Sequence, residues 1–176
     1  MKMTDLKKQL SLMEKEELVN LICRLYKGST QSRDMLDIEL CGNDAEKQVV
    51  EECKKQISKS FLIQNFSLKA AKKVISDFKK ICHNKENLAE LMLYYVECGV
   101  EFTNTYGDIN ESFYYSIETM YRNFVKEINS FTDDSYYIKN KKRIDEVYYS
   151  SLDIGWGFGD EIEDIHNEIK WRYNEG

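Results

Sequence analysis

The residues best able to do chemistry in this chain are carboxylates at helical spacing. Glu97 and Glu101 stand four apart, so a helix puts both on one face. Asp108 and Glu111 follow just past a turn at Tyr106-Gly107-Asp108. Asp160 and Asp164 share a face further along, with His166 two residues on. Carboxylates gathered in this way could hold a hard divalent cation or divide general acid and base roles, as in a metal-assisted hydrolase. Glu97, Glu101, Asp108 and Asp160 are therefore the catalytic candidates. Metal sites in helical bundles use Glu-x-x-His from facing helices. Glu163 and His166 supply one such spacing and no second copy exists, so no metal and no cofactor is expected. The competing reading is structural. Acidic residues near helix starts complement the dipole, and Glu97 and Glu101 can bond to tyrosines or backbone groups of neighbours.

A second group is aromatic. Gly155-Trp156-Gly157-Phe158-Gly159-Asp160 is not a GxGxxG loop, and no strand precedes it, so dinucleotide binding fails its context test. The helix start it opens could attract an anion, which Asp160 would repel. A tight turn is expected, with Trp156 and Phe158 plugging the core. Four doublets, Tyr94-Tyr95, Tyr114-Tyr115, Tyr136-Tyr137 and Tyr148-Tyr149, recur. Adjacent helical residues diverge by about 100°, so one of each pair can face the core and the other a rim. Tyr106, Trp156 and His166 are the candidate binding residues. The basic residues read as solvated faces: Lys69, Lys72, Lys73, Lys79 and Lys80 on one helix, and the run Lys139-Asn140-Lys141-Lys142-Arg143 on another. With a net charge of −6, phosphate binding is disfavoured and nucleic acid is not an expected partner.

The elements that must position these residues are helices. A short turn through Leu10 precedes Ser11-Leu12-Met13-Glu14, which has the spacing of a capping box. The helix after it carries Leu18, Leu21, Ile22 and Leu25 inward and stops at Gly28. Helices follow over Thr30–Leu40, from Asn43 to about Leu62, and over Leu68–Cys82 with Ser67 as cap. A segment from about Glu86 to Thr105 is apolar round most of its girth, leaving only the stripe Glu90, Glu97, Glu101 and Asn104, so it should be central. Gly99 on its apolar face would admit a close neighbour. Asn110 can cap a helix to Phe131 with Phe113, Ile117, Met120, Phe124, Ile128 and Phe131 at helical spacing. Another starts at Thr132-Asp133-Asp134 and reaches about Ser151, with Ile144, Val147 and Tyr148 inward. The last presents Ile162, Ile165, Ile169 and Tyr173. Strand-like alternation is missing, and there is no proline in 176 residues, which removes the punctuation of β-sandwiches. The expected fold is all-α: a single domain over residues 1–176 of seven to nine packed helices, as an irregular bundle or a short superhelical stack.

Five cysteines without CxxC spacing fit reduced thiols, and the start MKMTDLKKQL has no signal-like apolar run. A cytoplasmic location with no membrane segment is expected. The 20 Lys against 5 Arg, with much Ile, Asn and Tyr, suggest a low-GC bacterium or its phage. Leu12–Tyr26, Ser32–Leu40, Leu91–Tyr114 and Ile154–Ile165 resemble segments of a bacterial family catalogued as domain of unknown function 6155. The resemblance covers most of the chain and implies an intracellular helical domain. It carries no catalytic assignment, although Glu97, Glu101, Tyr106, Asp108, Trp156, Gly157 and Asp160 fall in its recognisable segments. The functional expectation is a non-enzymatic interaction or regulatory module whose partner is another protein. A carboxylate-dependent hydrolase and a regulator touching nucleic acid are the alternatives.

Overall fold

The computed structural model describes the backbone of residues 1–173 and the side chains of residues 1–172. The protein is 78% helical, with nine α-helices and no strand among the described residues, as the 3.6-residue periodicity requires. It forms two compact units, residues 1–46 and 47–176.

The first unit contains α1 (Met3–Leu10), α2 (Lys15–Gly28) and α3 (Thr30–Cys41), with α2 packed on α3; α4 (Asn43–Ser60) begins at its end. The expected capping box is displaced by three residues. Ser11 turns its hydroxyl back to the Lys8 carbonyl, 2.9 Å away, and ends α1. The first orphan amide of α2 is then that of Glu14, which donates to Glu17 Oε2 at 2.9 Å. The apolar stripe of α2 is also less covered than expected: Leu18 and Leu21 are half-buried, while Ile22 and Leu25 are 45% and 53% exposed.

The second unit continues through α4, a 3₁₀ turn at Ile63–Asn65, α5 (Leu68–Phe78), α6 (Lys85–Tyr106), α7 (Glu111–Asn129), α8 (Ser135–Tyr149), α9 (Phe158–Asn167) and a 3₁₀ turn at Lys170–Tyr173. The helix expected to reach Cys82 stops at Phe78, and tighter bonds from Lys80 to Asp77 and Ile81 to Phe78 finish the turn. The Tyr173 side chain, expected to face inward, lies outside the described residues.

Helix α6 is central, as its girth of apolar residues predicts: α5, α7 and α8 pack against it. Leu91, Met92, Tyr95 and Phe102 are buried, and so are Leu93 and Val100 on the opposite side. Its crossing with α7 is set by Gly99. A Cβ there would stand 2.8 Å from Ile117 Cγ1 and closer still to Cδ1, so only glycine permits this approach. The same interface is pinned by a buried bond of 2.8 Å between the Tyr95 and Ser116 hydroxyls. Asn110 caps α7 by accepting from the Phe113 amide at 3.0 Å, and Phe113, Ile117, Met120, Phe124 and Ile128 form the buried stripe. Helix α9 packs on α7 and α8, and Ile162 and Ile165 fill that junction.

Candidate functional site

The polar stripe of α6 is answered by α8. Arg143 donates to both Glu97 oxygens at 2.8 Å, through Nε to Oε1 and through Nη2 to Oε2. Its Nη1 donates to Glu90 at 2.8 and 2.9 Å and to Asn140 Oδ1 at 3.2 Å. Lys54 on α4 adds a 2.8 Å pair to Glu90. Burial would push the Glu90 carboxyl up, but Arg143 and Lys54 outweigh it and hold it below the usual range. Burial disfavours the Arg143 charge, and the two glutamates more than restore it. Two turns further, Asn104 Nδ2 donates to the Ser150 carbonyl at 3.0 Å. Glu97, Glu101 and Arg143 line a groove of about 410 Å³, but both Glu97 oxygens are already engaged by the guanidinium. On the other side of Arg143 a cleft of about 370 Å³ is lined by Lys54, Glu90 and Tyr136. The Tyr136 hydroxyl is buried and has no hydrogen-bond partner among the described residues.

His166 is placed in the core and is 2% exposed. Its Nδ1 lies 2.8 Å from the Tyr121 hydroxyl, its ring stacks on Tyr148 at 4.7 Å, and its Nε2 is 3.6 Å from Asp145 Oδ1. Burial, reinforced by the charge of Arg172, lowers its pKa to about 4, so the imidazole is neutral. The neutral Nε2–H tautomer suits these partners, with Nδ1 accepting from Tyr121. Burial pushes the Cys98 thiol up to about 11, which keeps it protonated.

The turn after α6 is closed by Tyr114. Its hydroxyl meets Thr103 Oγ1 at 2.9 Å, accepts from the Ile109 amide at 3.3 Å and donates to Asp108 Oδ1 at 3.3 Å. Asp108 thereby supports the turn, and it borders the glycine loop: a Cβ on Gly155 would lie 3.6 Å from Asp108 Oδ2. Tyr106 is exposed and packs against Phe102 at 4.8 Å. Asp160 sits in the first turn of α9, exposed to solvent, where it complements the dipole.

The glycine loop departs from expectation in one respect. Phe158 plugs the core, but Trp156 is 66% exposed. Trp156 and Gly157 have φ of 64° and 71°, and the Phe158 amide donates to the Gly155 carbonyl at 3.2 Å. This is a type I′ pattern, which favours Asn or Gly at both central positions and strains a tryptophan. Across this turn Phe158 is buried and the Trp156 side chain is left in solvent. Trp156, Tyr115, Glu111, Glu118 and Glu161 line a groove of about 490 Å³ at the starts of α7 and α9. Tyr115 is 69% exposed while Tyr114 is buried, so this doublet divides between core and rim as its spacing predicts. The doublets Tyr94-Tyr95 and Tyr148-Tyr149 divide likewise, whereas Tyr136 and Tyr137 are both buried. Glu161 pairs with Arg122, which also reaches Glu168 at 3.2 Å. Burial and then the charge of Glu161 raise the Glu118 pKa.

The candidates thus do not form one centre. Glu97 is tied to Arg143, His166 is in the core, Asp108 and Tyr114 brace a turn, and Trp156 opens a separate groove. Among the described residues no three His, Cys, Asp or Glu side chains are grouped so as to hold a metal ion. Sequence reasoning missed Arg143, which looked like one member of a solvated basic run, and Glu118 and Glu161. Tyr115 was visible only as half of a doublet. No helix among the described residues is long and apolar enough to cross a membrane. No curated protein and no solved structure matches the chain. The model of a family of unknown function, DUF6155, matches residues 1–170, and the chain belongs to that family.

Proposed function

We propose that this protein is a non-enzymatic interaction module that binds another protein in the groove at Trp156. The observation that carries this reading is the tryptophan itself. A bulky side chain at positive φ costs about 1–3 kcal/mol, and such strain concentrates at binding and switch sites. A core contact could offset the cost, but Trp156 is exposed. Tryptophan and tyrosine beside a polar rim are the residue types enriched where proteins meet. What speaks against the hydrolase reading is that both Glu97 oxygens are engaged by Arg143, Asp108 braces a turn through Tyr114, and Asp160 stands in the first turn of α9.

The test is a photocrosslinking amino acid at Tyr115, in cells that express the protein, with Ile138 as an exposed control position. A crosslinked protein at Tyr115 that is lost in Trp156→Gly supports the reading. No crosslink at Tyr115, or the same crosslink in Trp156→Gly, overturns it.

A further inference from the structure

We infer that the groove at Trp156 selects a cation, and that its occupant is a lysine- or arginine-bearing segment of the partner protein. The inference rests on the interaction reading and adds the chemistry of what is bound. Three carboxylates, Glu111, Glu118 and Glu161, line the groove, and no basic side chain does. Arg122 offsets Glu161 from beside the groove, but it is shared with Glu168. The side chains of Glu111 and Glu118 make no hydrogen bond or ion pair among the described residues, although the charge of Arg122 is felt at Glu118. They differ in this from Glu90 and Glu97, whose carboxylates are paired inside the fold.

The two helix starts at this groove do not reverse its sign. The α7 start is capped by Asn110, and the first turn of α9 carries Asp160 and Glu161. A phosphate or an acidic peptide entering here would meet the carboxylates of Glu111 and Glu118, with Glu161 already paired to Arg122. An apolar segment would strip water from the carboxylates and return no partner, which is costly for a charged group. An ammonium or guanidinium group meets both needs, because the faces of Trp156 and Tyr115 attract a cation through their quadrupoles while the carboxylates supply opposite charge. An arginine or lysine side chain also brings an apolar stem that can lie along the rings. The groove of about 490 Å³ has room for such a side chain and adjoining backbone.

The indole N–H resonances provide the measurement, since Trp171 is an internal control whose Nε1 is committed to the Ile128 carbonyl at 2.9 Å. The probes are two capped peptides, Gly-Lys-Lys-Gly-Lys-Lys-Gly and the same sequence with glutamate for lysine. The lysine peptide should shift the Trp156 resonance saturably and leave Trp171 in place. Its affinity should fall at least tenfold in Glu118→Gln, Glu161→Gln and should also fall as salt rises. In Trp156→Gly, a backbone amide shift at Tyr115 replaces the lost indole signal, and the affinity should again drop. A silent lysine peptide, an equal response to the glutamate peptide, or a lysine response unchanged in these variants overturns the cation assignment. The Tyr115 crosslink separates the two claims. If it persists in Glu118→Gln, Glu161→Gln while the lysine peptide is silent, the interaction reading stands and the cation assignment fails; if it is missing altogether, both fail.

Discussion

Acid should destabilise this fold through His166 before most carboxylates titrate. Burial and the nearby Arg172 lower the imidazole pKa from 6.5 to about 4. The unfolded chain therefore takes up a proton that the folded chain refuses until about pH 4. The contribution is complete above pH 6.5, falls as pH drops towards 4, and levels off below that. The slope inside the window approaches about 1.4 kcal/mol per pH unit, which gives a loss of about 2.5 kcal/mol between about pH 7.5 and 4.5. The surroundings fix the sign. Tyr121 bonds Nδ1 and Tyr148 covers the ring, and neither adds charge. Asp145 would favour the imidazolium, but it is 3.6 Å away and 30% exposed, so water screens it. Glu90, held low by Arg143 and Lys54, loses its contribution only below 4.5, and Glu118, with a raised pKa, acts in the opposite sense. The difference between the parent and His166→Gln isolates the imidazole. In urea melts from about pH 7.5 to about 4.5, the variant should lose about 2.5 kcal/mol less than the parent, whatever its stability at neutral pH. Parallel curves would refute the reasoning, and so would an imidazole that titrates near 6.5 in the folded protein.

Four further outcomes are expected. Trp156→Gly should leave the melting temperature unchanged or higher, because relief of about 1–3 kcal/mol of strain outweighs the roughly 0.5–1 kcal/mol entropic cost of glycine; a clear drop would make the ring a structural element. Gly99→Ala should cost about 1–3 kcal/mol by overpacking against buried Ile117, despite the gain of about 1 kcal/mol in helix propensity, and a stabilised variant would show that Ile117 can repack. Arg143→Ala should cost about 2–3 kcal/mol in urea melts, below the 3–5 kcal/mol of a fully buried pair because the site is partly exposed, and adding Glu90→Gln and Glu97→Gln should restore much of it. Tyr136→Phe should stabilise by up to about 1 kcal/mol, since it removes a buried hydroxyl without a partner; a loss would mean that a bound molecule satisfies that hydroxyl.

Helix positions were legible because a 3.6-residue pattern survives wherever one face is buried. The wide apolar girth of α6 placed it at the centre, and Gly99 marked its crossing with α7, which the fit of Ile117 explains. Caps were less secure. Both Ser11 and Glu14 can cap a helix, and only the backbone path decides which amide is left orphaned. Arg143 was hidden for a similar reason. A cation in a lysine-rich run reads as solvated until the partner helix is known, and of its partners Glu97 reads as a catalytic candidate and Glu90 only as part of a polar stripe. Trp156 misled because aromatic residues between glycines suggest core plugs; the positive φ that turns it outward belongs to the loop backbone and leaves no periodic trace.

These cases turn on what an acidic or aromatic residue has opposite it. Glu97 sits at helical spacing beside Glu101, as a catalytic pair would, yet its two oxygens meet the Nε and Nη2 of one guanidinium. A carboxylate held in this way by a two-pronged pair is a link in the fold, and its role is to join α6 to α8. Glu118 has the reverse history. Nothing in its sequence context marks it, and it becomes notable because α7 and α9 bring Glu161, Trp156 and Tyr115 around the same groove. Burial first, and the charge of Glu161 second, raise its pKa, against the opposing charge of Arg122. A cationic side chain entering the groove would offset the cost of holding the Glu118 charge in its partly buried place.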